Sequence, residues 1–381
     1  MRVLENDRVR GLAAASGQRR RNELSMNRRV LLVVVSCLLS VTTGLVLSRR
    51  SVGSAHDVHK KPLIGLSLDT LKEARWQGDR EMFVKRVHEL GADILDTAAN
   101  SDDAVQIGDI EKLITNQVDV LVIVPHDGKA MAKAVTMAHE AGIPVLAYDR
   151  LIKDSDLDLY VSFDNVKVGE LQAQYLVDHL PTPGKGKIVR IYGAKTDNNA
   201  HQFKDGQDLV LAPYLARGDI RVIHEDWTDE WKPEAAKRIM NAAITAHGAD
   251  FDAVLASNDG TAGGAIQALI EEGYAGKKLV TGQDAELVAC QRVVSGMQAM
   301  TIYKPVKTLA SHAAEMAVKL ARHCVVVARQ TVDNGKIAVP AVLDEVVTVT
   351  KENMLQTVVK DGYHSYEDVY RGVPESARPK P

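Results

Sequence analysis

Cysteine is scarce in this chain, whose 381 residues include only Cys37, Cys290 and Cys324. Three thiols cannot form the dense disulfide framework of a small secreted domain, and they lack the paired spacing of a structural zinc site. The twelve histidines also show no metal-ligand spacing. We therefore expect neither a metal nor another cofactor. Two interpretations of the last two thiols stay open: a Cys290–Cys324 bridge, or a pair of free buried thiols.

Complete nucleotide-binding motifs are missing as well. The pair Gly263-Gly264 belongs to neither a G-x-G-x-x-G fingerprint nor a P-loop. Positive charge is also in deficit outside the N-terminus, because residues 1–50 contain ten arginines and three acidic residues whereas the whole chain has a net charge of −3. The acidic remainder lacks the footprint of a nucleic-acid-binding domain, and the chain length suits two domains of ordinary size.

The longest apolar run extends from Val30 to Leu47 and directly follows Arg28-Arg29. A basic segment ahead of an apolar one is typical of an export signal. Small residues permit cleavage after Ala55, so we predict a cleaved signal peptide first, a retained membrane anchor second and a lipoprotein attached at Cys37 third. Met26 is then the expected natural start of the protein.

Six shorter apolar runs end abruptly in polar or aromatic residues. They are Pro62–Leu68, Ile143–Tyr148, Ile188–Tyr192, Ala253–Ala256, Leu279–Val280 and Met300–Tyr303. Such runs are typical of parallel strands that are buried on both faces, and the amphipathic stretches between them predict helices that cover a sheet. Ligands of open parallel sheets bind beyond the carboxyl ends of the strands. The polar residues after the runs therefore predict one composite site.

Segments around these polar ends make the pattern specific. They are residues 74–77, 145–150, 162–165, 169–173, 197–200, 256–259, 262–269, 282–285 and 303–305. These segments resemble the type I periplasmic binding proteins of bacterial ABC importers, in particular those that bind D-xylose, and the resemblance extends over residues 61–365. It implies an α/β fold of two doubly wound parallel-sheet lobes, joined by a three-crossing hinge, that closes on one sugar.

The resemblance also divides the chain and implies its role. Residues 1–55 are the N-terminal extension with its signal peptide or anchor, residues 61–162 plus 305–341 the first lobe, residues 163–304 plus 342–372 the second lobe, and residues 373–381 a tail. The crossings are expected near residues 162–163, 304–305 and 341–343. The protein so implied is a noncatalytic periplasmic monomer that delivers D-xylose to an ABC permease in the inner membrane.

Ten residues match sugar-binding positions of these proteins. They are Arg75, Trp76, Asp149, Arg150, Asp197, Asn199, Trp231, Asn258, Asp284 and Lys304. Each sugar hydroxyl both donates and accepts hydrogen bonds, so a dry site needs acceptor oxygens together with donor nitrogens. The two tryptophans are expected to form flat walls for the CH faces of the ring, because rigid aromatic side chains give contact area at low entropic cost. Trp227 and Asn100 are weaker candidates.

We also predict how substitutions of Trp76 and Asp284 affect stability. We expect Trp76→Ala or Asp284→Ala to abolish sugar binding while leaving the melting temperature of the empty protein nearly unchanged. A large loss of stability would instead indicate that the side chain belongs to the core.

Other functions stay open on the residues alone. One is a receptor for ribose, glucose, arabinose or galactose, including a receptor that serves chemotaxis. A glycosidase would use two of the carboxylates of Asp149, Asp197 and Asp284. Against it, neighbouring cations would keep these groups ionised, whereas a general acid needs a raised pKa. A sugar-responsive repressor would need a helix-turn-helix before residue 60, where the apolar run stands instead.

Overall fold

The computed structural model describes residues 61–72 and 74–380 of the chain. The predicted export segment, its cleavage position and Met26 lie outside the described residues. Among the helices of the described part, none is long and apolar enough to cross a membrane. Cys290 is buried, Cys324 is exposed, and both thiols are free. Of the two open interpretations, the structure therefore agrees with free thiols and not with a bridge, but Cys324 is not buried as that interpretation expected.

Thirteen strands and ten α-helices make up most of the described chain. The strands are β1 Leu63–Leu68, β2 Asp93–Ala98, β3 Val120–Ile123, β4 Val145–Tyr148, β5 Leu159–Phe163, β6 Gly186–Tyr192, β7 Ile220–Trp227, β8 Ala253–Ala256, β9 Leu279–Val280, β10 Thr301–Tyr303, β11 Gln330–Asp333, β12 Ala338–Asp344 and β13 Val347–Val349. The helices are α1 Ala74–Glu89, α2 Asp103–Thr115, α3 Ala132–Glu140, α4 Asn165–His179, α5 Asn198–Arg217, α6 Pro233–His247, α7 Asp259–Glu271, α8 Leu287–Val294, α9 Val306–Ala321 and α10 Tyr366–Val369.

The first sheet has the strand order β11-β12-β5-β4-β3-β1-β2. Its neighbours are parallel, except that β11 is antiparallel to β12. Helices α1 and α9 pack on one face around Phe83 and Leu309, and α2 and α3 pack on the other around Ile110 and Ala134. Strands β3 and β4 are buried along their whole length, as expected for strands covered by helices on both sides.

The second sheet has the order β7-β6-β8-β9, and all its neighbours are parallel. Helices α6 and α7 cover one face, and α4 and α5 cover the other. In both sheets the first strand along the chain lies between the second and the third, so that the strand order reverses beside it. Crevices at such switch points, beyond the carboxyl ends of the strands, are the usual ligand sites of doubly wound folds.

Three connections link the first sheet to the rest of the described fold. The chain leaves the first sheet after β5, returns after β10 with α9, and leaves again after β12 toward β13. These connections lie close to the crossings that the resemblance implies, and the predicted fold class is confirmed. Strands β10 and β13 form a separate antiparallel pair, which belongs to neither larger sheet. The exact lobe boundaries stay a prediction.

The start of β4 differs in an instructive way from the start of the apolar run that predicts it. The run Ile143–Tyr148 yields a strand only from Val145 onward. Pro144 has no N–H to donate to a neighbouring strand, although its carbonyl oxygen still accepts from the amide of Leu121 at 3.0 Å. Proline is therefore used at the entry of the strand, where the missing donor costs nothing.

Candidate functional site

All ten sequence-predicted side chains line one cavity of about 40 Å³. Each is carried by a strand end or by the first turn after one. Arg75 and Trp76 lie in the first turn of α1, Asp149 and Arg150 follow β4, Asp197 and Asn199 begin α5, Trp231 follows β7, and Asn258, Asp284 and Lys304 follow β8, β9 and β10. For nine of the ten the convergence follows from the parallel sheets, since parallel strands bring their carboxyl ends to one edge of each sheet. Lys304 is the exception, because it follows β10 of the separate antiparallel pair.

Arg75 lies among three carboxylates. Its Nε donates to Asp79 at 3.1 Å and its Nη1 to Asp284 at 3.4 Å, while Nη2 forms a short ion pair with Asp149. Asp149 follows the first sheet and Asp284 follows the second. The guanidinium therefore connects groups from both sheets across the cavity.

Asp149 is an ionised acceptor. Burial alone would raise the pKa of this carboxyl, but the positive charges of Arg75 and Lys304 outweigh burial and lower it. The backbone of Asp149 has a left-handed φ of 63°, and its carbonyl oxygen accepts from the hydroxyls of Tyr160 at 2.9 Å and Ser162 at 2.6 Å. These bonds hold an uncommon conformation that turns the carboxylate toward the cavity.

Arg150 and Asp197 form a second link between the sheets. The Nε of Arg150 lies 3.0 Å from Asp197, and its Nη1 donates to Asp69 at 2.7 Å. Asp197 also caps α5 by accepting from the backbone N–H of Asn199 at 2.9 Å, and it accepts from the indole N–H of Trp231 at 3.1 Å. Its carboxylate is thus surrounded by donors, although burial still raises its pKa.

Lys304 is the most completely buried cation of the cavity, with 1% of its side chain exposed. Its Nζ lies 3.1 Å from Asp284 and 4.0 Å from Asp149. The same ammonium lies 5.3 Å from the ring centroid of Phe163 and 6.0 Å from that of Phe203. An ammonium this deeply buried is retained only with charged partners and aromatic faces around it.

Asp284 and Ala285 form a strained turn, with φ values of 97° and 49°. Neighbouring groups fix this turn. The amide of Asp284 donates to the carbonyl of Ile302 at 2.8 Å, and the next amide, that of Ala285, donates to the hydroxyl of Thr301 at 3.2 Å. The amide of Glu286 donates to the buried carboxylate of Asp259 at 3.0 Å. Three hydrogen bonds therefore fix the backbone that carries Asp284.

The two tryptophans differ in their surroundings. Trp76 is 4% exposed and belongs to the hydrophobic cluster between α1, α9 and the first sheet. The guanidinium carbons of Arg75 and Arg150 lie 4.5 and 5.2 Å from its ring centroid. Trp231 is only partly buried and meets the ring of Phe203 edge-on, with centroids 6.2 Å apart. Trp76 is thus a core residue as well as a wall, whereas Trp231 is chiefly a wall.

Gly193 makes room for Trp231. A Cβ at this position would lie 2.0 Å from the nearest indole carbon, which is far inside contact distance. We expect Gly193→Ala to displace the indole and to lower the affinity of the cavity for its ligand by about tenfold or more, since about 1.4 kcal/mol of lost contact energy is a factor of ten. Calorimetric titration with D-xylose, the sugar that the resemblance implies, checks this result. Gly108→Ala on α2 is a suitable control because no atom lies within 4 Å of the added carbon and Gly108 does not have a positive φ. An unchanged affinity in Gly193→Ala would contradict the expectation.

Three further residues line the cavity: Phe203, Gln283 and Glu286. They are not among the ten residues predicted from the sequence. Gln283 nevertheless directly precedes Asp284, and Phe203 lies four residues after Asn199 on the same helix. Gln283 is 2% exposed, and its Oε1 accepts no hydrogen bond from the described residues. This oxygen is therefore a candidate acceptor for a ligand of the cavity.

The weaker candidates do not contribute to the cavity. Trp227 packs against the rings of Tyr192 and His201, with centroids 4.8 and 4.7 Å away, and it lines a separate surface groove. Asn100 uses its carbonyl oxygen to accept from Lys72 at 3.1 Å and does not line the cavity.

Asn258 has two roles, as its position before a helix suggests. Its side chain accepts from the amide of Thr261 at 2.8 Å and caps α7, in a capping box with the threonine hydroxyl. It also lines the cavity. A cap fixes the side-chain oxygen, so this asparagine is presented to a ligand with little freedom.

A larger cleft of about 890 Å³ adjoins the cavity. The cleft and the cavity share Arg75, Trp231, Asn258 and Glu286 as lining residues. These shared side chains stand where a ligand would pass from one space to the other. The arrangement is that of a small polar chamber behind a wider entrance.

The chemistry of the chamber suits a neutral polyol. It holds ionised acceptors, cationic donors and neutral amides in close alternation, and aromatic faces bound it. A ligand rich in hydroxyls can donate to each carboxylate and accept from each cation. Among the described residues there is no group of three or more His, Cys, Asp and Glu side chains arranged to hold a metal ion.

Comparisons with known proteins agree with this chemistry. The sequence profile of a periplasmic binding protein domain matches residues 64–323. A D-xylose-binding periplasmic protein of Haemophilus influenzae is 48% identical over 313 residues, which cover 82% of this chain and 93% of that protein. The D-xylose-binding periplasmic protein of Escherichia coli is 45% identical over 336 residues, which cover 88% of this chain and 99% of that protein.

A solved structure is similar over the same region. It is a carbohydrate transporter solute binding protein from Chloroflexus aurantiacus in complex with D-glucose. It is 34% identical to this chain, superposes with a TM-score of 0.77, and the match covers 81% of this chain and 98% of that one. The similarity therefore includes both sheets described above.

Proposed function

The chain belongs to the periplasmic binding protein family, and we propose that it is an exported receptor that captures D-xylose in the cavity between the two sheets and delivers it to an ABC importer permease. The observation that carries this proposal is the convergence of ten side chains, chosen from the sequence for sugar binding, on one cavity. Relatives at 45 to 48% identity are D-xylose-binding periplasmic proteins.

The proposed site residues are the ten predicted ones: Arg75, Trp76, Asp149, Arg150, Asp197, Asn199, Trp231, Asn258, Asp284 and Lys304. Charge-assisted hydrogen bonds contribute roughly 1.5–3 kcal/mol each. A sugar that lacks a hydroxyl would leave a buried charged partner unpaired, which gives such a site its selectivity. The same set of partners, drawn from both sheets, supports capture by closure of two lobes on the ligand.

A noncatalytic role is part of this proposal. Members of the family are binding proteins, and the pKa of Asp149 is lowered by its cationic neighbours. Asp197, whose pKa burial raises, has Arg150, an amide and an indole as donors around it. Neither carboxyl is arranged to give a proton to a leaving group. We further propose a periplasmic location, a monomeric state and export through the N-terminal apolar segment.

A second candidate ligand is D-glucose or another monosaccharide. The solved structure from Chloroflexus aurantiacus contains D-glucose and is 34% identical to this chain. The larger cleft next to the cavity offers space for the additional hydroxymethyl group of a hexose. This candidate keeps the same fold, site and mechanism and changes only the preferred sugar.

Calorimetric titration of the full-length protein with D-xylose, ribose, glucose, arabinose and galactose tests the proposal. We expect the tightest binding with D-xylose. Asp149→Asn should weaken that binding strongly, because asparagine tolerates the left-handed backbone and removes only the charge. Asp158→Asn is a matched control, since Asp158 pairs with His139 and the amide of Val145 and does not line the cavity. No heat with D-xylose, together with clear binding of another sugar, would reject D-xylose as the ligand.

A further inference from the structure

A buried carboxylate holds Arg75 from behind the cavity. Asp79 lies one helical turn after Arg75 on α1, is fully buried, and does not line the cavity. One of its oxygens accepts from the Nε of Arg75 at 3.1 Å, and the other accepts from the hydroxyl of Tyr148 at 3.0 Å. Tyr148 ends β4 and directly precedes Asp149. Asp79 is thus fixed between the helix and the strand that carry cavity residues.

The contact decides where the guanidinium points. A guanidinium is a planar fork with five N–H donors, and Asp79 takes the one on Nε. Nη1 and Nη2 then face Asp284 and Asp149. Without an acceptor behind it, the fork could turn about its long side chain and lose this direction. The position of Asp79, and not the cavity alone, therefore orients both terminal nitrogens of Arg75.

We propose that Asp79 is a positioning residue for sugar binding: its ionised carboxylate aims Arg75 at the ligand, so that sugar affinity depends on whether Asp79 carries a proton. The inference rests on the proposed function. Sugar hydroxyls that bind to Arg75, Asp149 and Asp284 replace the direct contacts of the guanidinium with the two cavity carboxylates. Asp79 then remains its direct anionic partner, and the bound state favours the ionised form of Asp79.

The surroundings of Asp79 place its titration in the neutral range. The titratable and charged groups that face it are Arg75, Tyr148, Asp149, Lys304 and Tyr363. Burial and the charge of Asp149 together raise the pKa of Asp79 to about 7, against the opposing effects of Arg75, the Tyr148 hydroxyl and Lys304. Because the bound state favours the ionised form, proton uptake favours the free protein. Sugar affinity should consequently fall as the pH drops through about 7.

Titration of the full-length protein with D-xylose between about pH 8.5 and about pH 5.5 tests this linkage. A charge-assisted hydrogen bond is roughly twice as strong as a neutral one, so we expect the dissociation constant to rise roughly three- to tenfold toward the acidic end. Asp79→Asn should bind D-xylose at every pH with the weaker affinity that the unsubstituted protein has at the acidic end. Its melting temperature, measured in parallel, separates a binding defect from a general loss of structure.

Tyr148→Phe distinguishes a positioning role of Asp79 from a merely structural one. A structural role predicts no change in the pH dependence of sugar affinity. The tyrosine hydroxyl lowers the pKa of Asp79, so its removal should shift the midpoint of the affinity change to higher pH. Asp158→Asn should keep the profile of the unsubstituted protein. A flat profile in the unsubstituted protein, or an unchanged profile in Asp79→Asn, would overturn the inference. Absence of D-xylose binding by the unsubstituted protein at the upper pH would instead contradict the proposed function.

Discussion

Trp76→Ala is expected to unfold more easily than the unsubstituted protein, by about 3–5 kcal/mol, and to lose sugar binding. The indole is 4% exposed and packs in the cluster between α1, α9 and the first sheet. Its removal leaves a cavity in that core and also removes the face on which the guanidinium groups of Arg75 and Arg150 lie. Thermal unfolding without sugar should show a fall in melting temperature on the order of 10 °C.

Trp231→Ala is the matched comparison. Trp231 is partly buried and lies at the edge of a small cluster with Phe203, so its removal should change the free energy of unfolding by about 1 kcal/mol or less. Sugar affinity should nevertheless fall in both variants. If Trp76→Ala has the same melting temperature as the unsubstituted protein, the indole does not contribute to the core. The expectation of an unchanged melting temperature, drawn from the sequence, then holds instead.

This contrast marks the limit of what the sequence reveals. Both tryptophans follow strand ends, and a strand end beside a parallel sheet is enough to place them near the ligand site. Whether a tryptophan there also fills the core depends on the elements packed against it. For Trp76 these include α9, whose residues lie more than 200 positions later in the chain. The sequence around Trp76 does not predict a contact with so distant a segment.

The sequence predicts the fold better than it predicts the buried carboxylates that hold the site residues in place. Apolar runs buried on both faces predict parallel strands, and this prediction gave the sheets and the edge at which the polar residues meet. The carboxylates behind the site are different: Asp79 and Asp259 are buried polar residues within helices. In sequence Asp79 resembles an ordinary helix-surface acid, and Asp259 is only one more polar residue after a strand. Only the tertiary contacts show that one orients Arg75 and that the other holds the turn of Asp284.

Asp284→Asn is expected to reduce both stability and sugar affinity. This differs from the unchanged melting temperature that the sequence alone led us to expect for Asp284→Ala, because Asp284 pairs with the buried ammonium of Lys304 at 3.1 Å. Asparagine tolerates the left-handed φ of 97° at this position, so the substitution removes the charge with little added backbone strain. Lys304, which is 1% exposed, then keeps only Asp149, at 4.0 Å. Loss of one partner of a buried ion pair costs about 3–5 kcal/mol, because the remaining charge stays buried. Lost charge-assisted bonds to the ligand should weaken binding by roughly ten- to a hundredfold.

The double variant Asp284→Asn with Lys304→Met separates these two effects. Replacing a buried charge pair by neutral and apolar groups of similar size is often close to neutral in stability, so the double variant should regain much of the melting temperature lost in Asp284→Asn. Sugar binding should not return, since both groups are proposed ligand contacts. Recovery of binding together with stability would show that Asp284 acts only through Lys304. A double variant that melts below Asp284→Asn would show that Lys304 stabilises the fold through its aromatic neighbours, Phe163 and Phe203, more than through its ion pair.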